Sequence, residues 1–250
     1  MRNIWIIAKR EYDHYFISPI AYVVAFMILL TTGIIFAINI LYFMQNAFQS
    51  FGQVPDISPI MGAFGFLLVL SIPAITMRLL ADEARMGTLE LLLTAPVRDF
   101  ELVAGKWLGG FLFLLTILAV TVIYPLILHF VLVSPGIDQQ MVISSYLGVI
   151  LAAAAFLALG VGISAVFTNQ VAAFFVTLSV FVFLWWLIGF PAQLLQGTAG
   201  EVFQYLSMQT HFYDAFNRGS VYLTDIIYFL SLIALGLFIG TTAIETRRWS

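Results

Sequence analysis

The chain is built of long apolar stretches separated by short polar ones, and no stretch shows the period-two alternation of a half-exposed strand. Residues 14–55, 57–77, 107–137, 139–200 and 226–244 carry no Asp, Glu, Lys or Arg, in runs of 42, 21, 31, 62 and 19 residues. A helix needs roughly 20 residues to cross a hydrocarbon core of about 30 Å, so runs of this length predict membrane spans. The 62-residue run is long enough for two, with a tight turn at its polar triplet Thr168-Asn169-Gln170. Six spanning helices are therefore predicted, at 20–44, 60–80, 102–133, 142–167, 171–190 and 226–244. Helices are the expected spanning form because lipid leaves each segment to satisfy its own backbone hydrogen bonds. A membrane barrel would instead show ten-residue stretches of alternating polarity.

Three polar or amphipathic pieces interrupt the spans. Residues 3–16 place Ile4, Ile7, Ala8, Tyr12 and Tyr15 on one helical face and Lys9, Arg10, Asp13 and His14 on another, which predicts an interfacial elbow helix within 1–18. Ser18-Pro19 marks its bend into the first span. The 81–101 loop and its flanks are the densest polar region, with nine of the 23 charged residues between Arg78 and Lys106. A short apolar ridge, Leu89 to Leu93, sits inside that loop between Gly87 and Pro96 and is too short to span. Mixed charge around such a ridge suits docking to a soluble protein, and it equally suits an ordinary solvated loop. Residues 192–225 form the longest segment on the opposite side and gather Phe203, Tyr205, His211, Phe212, Tyr213, Phe216 and Tyr222. Such rings fit an interfacial belt, a re-entrant fold or a gate.

Composition agrees with the pattern. Of 250 residues, 62% are hydrophobic and 9% charged, against about 25% charged in a typical soluble domain. With no cysteine, there is no disulfide framework, thiol nucleophile or Cys-ligated metal. A net charge of −3 offers no basic tract for nucleic acid. Enzyme motifs fail at defined positions. Phe100 and Trp107 stand where a P-loop ending in Gly105-Lys106 needs glycine and a hydroxyl. Gly162-Ile163-Ser164-Ala165-Val166 lacks the last glycine of a nucleophile elbow. His14, His129 and His211 show no metal-ligand spacing. No catalytic, cofactor or metal residues are expected, and no charged residue is expected well inside a span, as an ion-coupled carrier would need. The small-residue surfaces at Gly105–Gly109, Ala152–Ala155 and Gly160–Gly162 suit close helix packing, within one chain or between subunits.

Orientation follows from the basic residues. Six spans place both termini, the 81–101 loop and the 168–170 turn on one side. That side carries nine Lys or Arg residues, and the other carries only Arg218. The positive-inside rule then puts both termini in the cytoplasm.

The run from Pro73 through Arg78, Asp82-Glu83, Gly87, Glu90 and Pro96 to Asp99, continued by Glu101-Leu-Val-Ala-Gly105-Lys106, resembles the signature of ABC-2 type transporter permeases. Lys9-Arg10-Glu11, Ser18-Pro19, Asn169-Gln170, His211-Phe212, Arg218-Gly219 and the closing Glu245 to Trp249 are similar too. The likeness covers the whole chain and is nearest to the subgroup with the gliding-motility-associated permease and the copper-site maturation permease of nitrous oxide reductase. It implies a single all-α membrane domain, 1–250, with six transmembrane helices, an N-terminal surface helix, a cytoplasmic coupling helix and an outer re-entrant segment.

The resemblance also implies a division of labour. The chain would be a non-catalytic half-transporter in a prokaryotic cytoplasmic membrane, paired with a second copy or a related permease. A separate cytoplasmic P-loop ATPase would hold the ATP and magnesium. Glu83, Arg85, Gly87, Thr88, Glu90, Arg98 and Asp99 would contact that ATPase, with Asn169 and Gln170 as a smaller second contact. Phe203, His211, Phe212 and Arg218 would form the outer gate. Three functions compete: an exporter subunit, a force-transmitting subunit that drives a periplasmic or surface partner through a periplasmic-domain subunit, and a channel or scaffold without an ATPase. The charged loop disfavours the last, and the small outer segment leans towards export.

Overall fold

The computed structural model describes residues 2–45, 55–87, 97–132, 136–195 and 197–248, and among them it is helical with no strand. Among the described residues, six helical stretches are long and apolar enough to cross a membrane: Pro19–Gln45, Ser58–Arg85, Asp99–Val131, Gln139–Val166, Gln170–Leu194 and Leu223–Arg247. They coincide with the six predicted spans. The helices are α1 (Arg2–Tyr15), α2 (Pro19–Gln45), α3 (Ser58–Thr76), α4 (Ala81–Arg85), α5 (Asp99–Thr121), α6 (Ile123–Ile127), α7 (Gln139–Val166), α8 (Gln170–Trp185), α9 (Phe190–Leu194), α10 (Thr198–Leu206) and α11 (Leu223–Arg248).

Local chemistry sets the boundaries. Pro19 opens α2 after α1 ends at Tyr15. The Asp138 carboxylate accepts from the Gln140 and Met141 amides at the start of α7, and Asn169 does the same for Val171 and Ala172 at the start of α8. The third span was expected as one helix, but it breaks at Val122 between α5 and α6 and ends in a π-helical turn, Leu128–Leu132. Pro125 explains the break, because it cannot donate to the Thr121 carbonyl and its ring crowds that group.

α7 and α3 form the buried centre, while α2, α8 and α11 turn most of their surface outward. The outward face of α2 carries Tyr22, Val23, Phe26, Leu30, Ile34 and Ile38, side chains suited to lipid. Small residues allow the close approaches. A Cβ on Gly162 would stand 2.5 Å from the Gly236 carbonyl of α11, and one on Gly160 would stand 2.6 Å from Thr76 Oγ1 of α3. These surfaces are used inside the chain.

The apolar face of α1 packs on protein. Asn3 Nδ2 donates to Glu101 at 3.0 Å, Ile7 covers Gly105, Glu11 covers Gly109, and the Tyr15 ring stacks on Phe113 at 4.8 Å. The constant offset of 98 residues means that α1 runs parallel to the start of α5. The glycine pair at i and i+4 admits this contact. Trp5 and Ile6 on α1, and Phe16 and Ile17 just after it, are left exposed.

Candidate functional site

The polar groups collect at the two ends of the bundle. At the end that holds both termini, Lys106 of α5 is 1% exposed, and its ammonium donates to Glu11 Oε1 at 3.0 Å and Glu83 Oε1 at 2.9 Å. Arg10 joins from the side, 3.1 Å from Glu11 and 3.8 Å from Glu83. Two cations and two carboxylates thus tie three elements together: α1, α4 and the third span. A buried charge is costly unless paired, and here each has its opposite. Burial pushes the Glu11 carboxyl up, but the Lys106 ammonium and Arg10 outweigh it and hold the group below its ordinary value of 4.5.

The same end holds α4 against the bundle by a second device. Ser164, near the C-terminal end of α7, accepts from the Leu80 amide at 3.2 Å and the Ala81 amide at 3.1 Å. Its hydroxyl therefore caps the first turn of α4, which explains a buried serine at that depth. Gln170 donates to Asp82, which also pairs with Arg85 at 3.1 Å. Gly87 closes α4 with φ +71, the left-handed conformation expected of a glycine just past a helix end. Arg247 reaches the Val166 carbonyl at 3.0 Å, so the chain's C-terminal end lies beside the α7–α8 turn.

The residues expected at the coupling site divide sharply. Arg85, Gly87 and Arg98 are exposed, and Asp99 is half-buried. Glu83 and Gln170 turn inward, onto Lys106 and Asp82. Asn169 is the cap of α8. Thr88, Glu90 and the Leu89–Leu93 ridge lie outside the described residues. Lys106 was read from sequence as part of a basic flank; the structure makes it the centre of the cluster. The available signal was its odd setting, one lysine between the two helix-packing glycines 105 and 109.

At the opposite end, the 192–225 segment folds back over α3 and α7. A Cβ on Gly65 would stand 2.6 Å from the Phe212 ring, which lies 5.6 Å from the Trp185 ring. Ser58 Oγ donates to the Asn217 carbonyl at 2.9 Å, Tyr213 Oη to the Gly62 carbonyl at 2.8 Å, and Ser144 Oγ to the Phe216 carbonyl at 2.7 Å. Gly65 is two turns inside α3, so the segment penetrates the bundle. His211 is buried, stacked on Tyr228 with ring centroids 4.1 Å apart. Its Nε2–H donates to the Tyr205 carbonyl at 2.6 Å, and its Nδ1 lies 2.6 Å from Asp225 Oδ1. Of the expected gate residues, His211 and Phe212 are buried in this plug and Phe203 is partly buried. Arg218 is exposed and pairs with Asp214 at 3.1 Å.

Fold and site together define a multi-pass helical membrane protein whose polar machinery is gathered at the two ends of one bundle. The family model described as ABC-2 family transporter protein matches residues 5–246. The chain belongs to that family and is a membrane subunit of an ATP-binding-cassette transporter, a family that implies pairing with an ATP-binding subunit. A search of curated proteins finds no match to the chain.

Proposed function

We propose that the chain is the permease half of an exporter, driven by a separate P-loop ATPase that docks on the 81–101 loop. The carrying observation is the Glu83–Lys106–Glu11 cluster. A loop anchored this way cannot shift without loading both α1 and the third span. ATP binding would close two ATPase subunits, and each would displace the loop docked on it. The helices would then tilt as rigid bodies and open a path between two copies of this chain, or between this chain and a related one. Such coupling requires the loop to bind the two ATPase states with different affinity.

The docking surface in this reading is formed by Arg85, Gly87, Arg98 and Asp99 on the outward side of the loop, and the resemblance adds Thr88 and Glu90. Glu83 and Gln170 connect it inward, and Asn169 shapes the neighbouring turn. In this reading the docking end faces the cytoplasm, because nine of ten basic residues lie on that side, and the resemblance makes the membrane a prokaryotic cytoplasmic one. The plug of Phe203, His211 and Phe212 closes the outer end, with Arg218 at its rim. Within the family, the sequence resemblance is nearest to the subgroup with the gliding-motility and nitrous-oxide-reductase-maturation permeases. The test is purification from native membranes in a mild detergent. A stoichiometric P-loop ATPase should come with the chain, and Arg85→Ala with Arg98→Ala should lower its recovery or uncouple its ATP hydrolysis from transport. A pure homo-oligomer, or unchanged coupling in the double variant, would overturn the reading.

A further inference from the structure

A cleft of about 560 Å³ opens beside the ion cluster, between the α1–α2 junction and the inner end of α3 with α4. Its apolar wall includes Ile20 and Ala21 at the start of α2, and Ala74 and Ile75 at the end of α3. Its polar rim lies at the ends of these two spans, the depth expected of lipid headgroups. The charged groups lining it sort by partner. Lys106 and Arg10 are engaged with Glu11 and Glu83, and Asp82 with Arg85 and Gln170. Arg78 and Asp13 also line the cleft and make no ion pair or side-chain hydrogen bond among the described residues. His14 also lines the cleft.

An open guanidinium is a receptor for phosphate, and a carboxylate next to it receives an ammonium. Three Lys or Arg cations face four carboxylates in this lining, so a purely anionic headgroup meets net repulsion there. We propose that the cleft binds a zwitterionic aminophospholipid, with its phosphate on Arg78, its ammonium on Asp13 and one acyl chain along Ile20, Ala21, Ala74 and Ile75. The site depends on the span ends alone, and on neither the ATPase nor the direction of transport.

Native mass spectrometry tests it. The full-length protein in mild detergent is offered equal amounts of phosphatidylethanolamine, phosphatidylcholine and phosphatidylglycerol with identical acyl chains. One phosphatidylethanolamine should be retained per chain, in preference to the other two. Arg78→Gln should weaken retention of every headgroup about tenfold, the loss of one charge-assisted contact. Asp13→Asn should bring the ethanolamine lipid down to the level of the choline lipid. Retention of phosphatidylglycerol equal to or above phosphatidylethanolamine would overturn the proposal, as would unchanged binding by Arg78→Gln. Thermal stabilisation by inorganic phosphate alone, matching that by the lipid, would make this a free-anion site and overturn it too. The headgroup competition on the unaltered protein stands even if the arginine variant fails to fold. No ATPase enters the assay, so its outcome is separate from that of the coupling reading.

Discussion

Lys106 and Glu83 are 2.9 Å apart, and the same ammonium is 3.0 Å from Glu11, so one buried side chain links the inter-span loop to the N-terminal helix. Removing the lysine leaves the mostly buried Glu11 and Glu83 carboxylates with only the exposed Arg10 to answer them. Lys106→Met should therefore lower stability by about 3–5 kcal/mol, the usual cost of orphaning one side of a buried pair. Adding Glu11→Gln and Glu83→Gln should return part of that loss. Thermal unfolding in detergent gives the cycle, and full additivity of the three substitutions would show that the cluster is not a unit.

The Glu11 carboxyl is held below its ordinary value of 4.5, which gives stability a pH signature. A depressed carboxylate contributes its full stabilisation above the unfolded-state value and loses it as pH falls through the lower folded-state value. The difference in unfolding midpoint between the parent protein and Glu11→Gln should stay level from neutral pH down to about 5.5, then shrink below about 4.5. A gap that widens on acidification would contradict the geometry.

The spans were legible from the sequence because charge-free runs and proline positions report directly on lipid and on backbone hydrogen bonding. The site was only half legible. Gly87, Ser18-Pro19 and the 168–170 turn announced themselves through backbone chemistry. Lys106 did not, because a lysine just outside an apolar run looks the same whether it faces water or a pair of glutamates 23 and 95 residues away. Ser164 was weighed only as a failed nucleophile motif, since its role as a cap depends on α4 arriving beside α7. The face of α1 was legible as apolar, but its partner was not. Lipid and a glycine-lined helix make the same demand on Ile4, Ile7 and Ala8.

The plug at the end opposite the termini sits on glycines, which makes it sensitive to single methyl groups. A Cβ at position 65 would stand 2.6 and 2.8 Å from two atoms of the Phe212 ring. Gly65→Ala should cost about 1–3 kcal/mol through overpacking. Phe212→Leu removes the crowding ring, so the double variant should be more stable than the sum of the single effects by about 1 kcal/mol. Unfolding midpoints of the four proteins decide it. Strict additivity would mean that the segment does not penetrate α3.

The absence of cysteine makes the orientation directly measurable, since one introduced thiol is the only reactive one in the chain. Met86 follows α4 at the end with both termini, and Gln204 lies in α10 at the opposite end; both are exposed. Neither side chain makes a hydrogen bond among the described residues, so substitution there should leave the fold intact. In intact cells, a membrane-impermeant maleimide should label Gln204→Cys and leave Met86→Cys unlabelled until the membrane is opened. The reverse pattern would put the Lys106 cluster outside, where no ATPase can reach the loop. Labelling of both in intact cells would break the six-span topology itself.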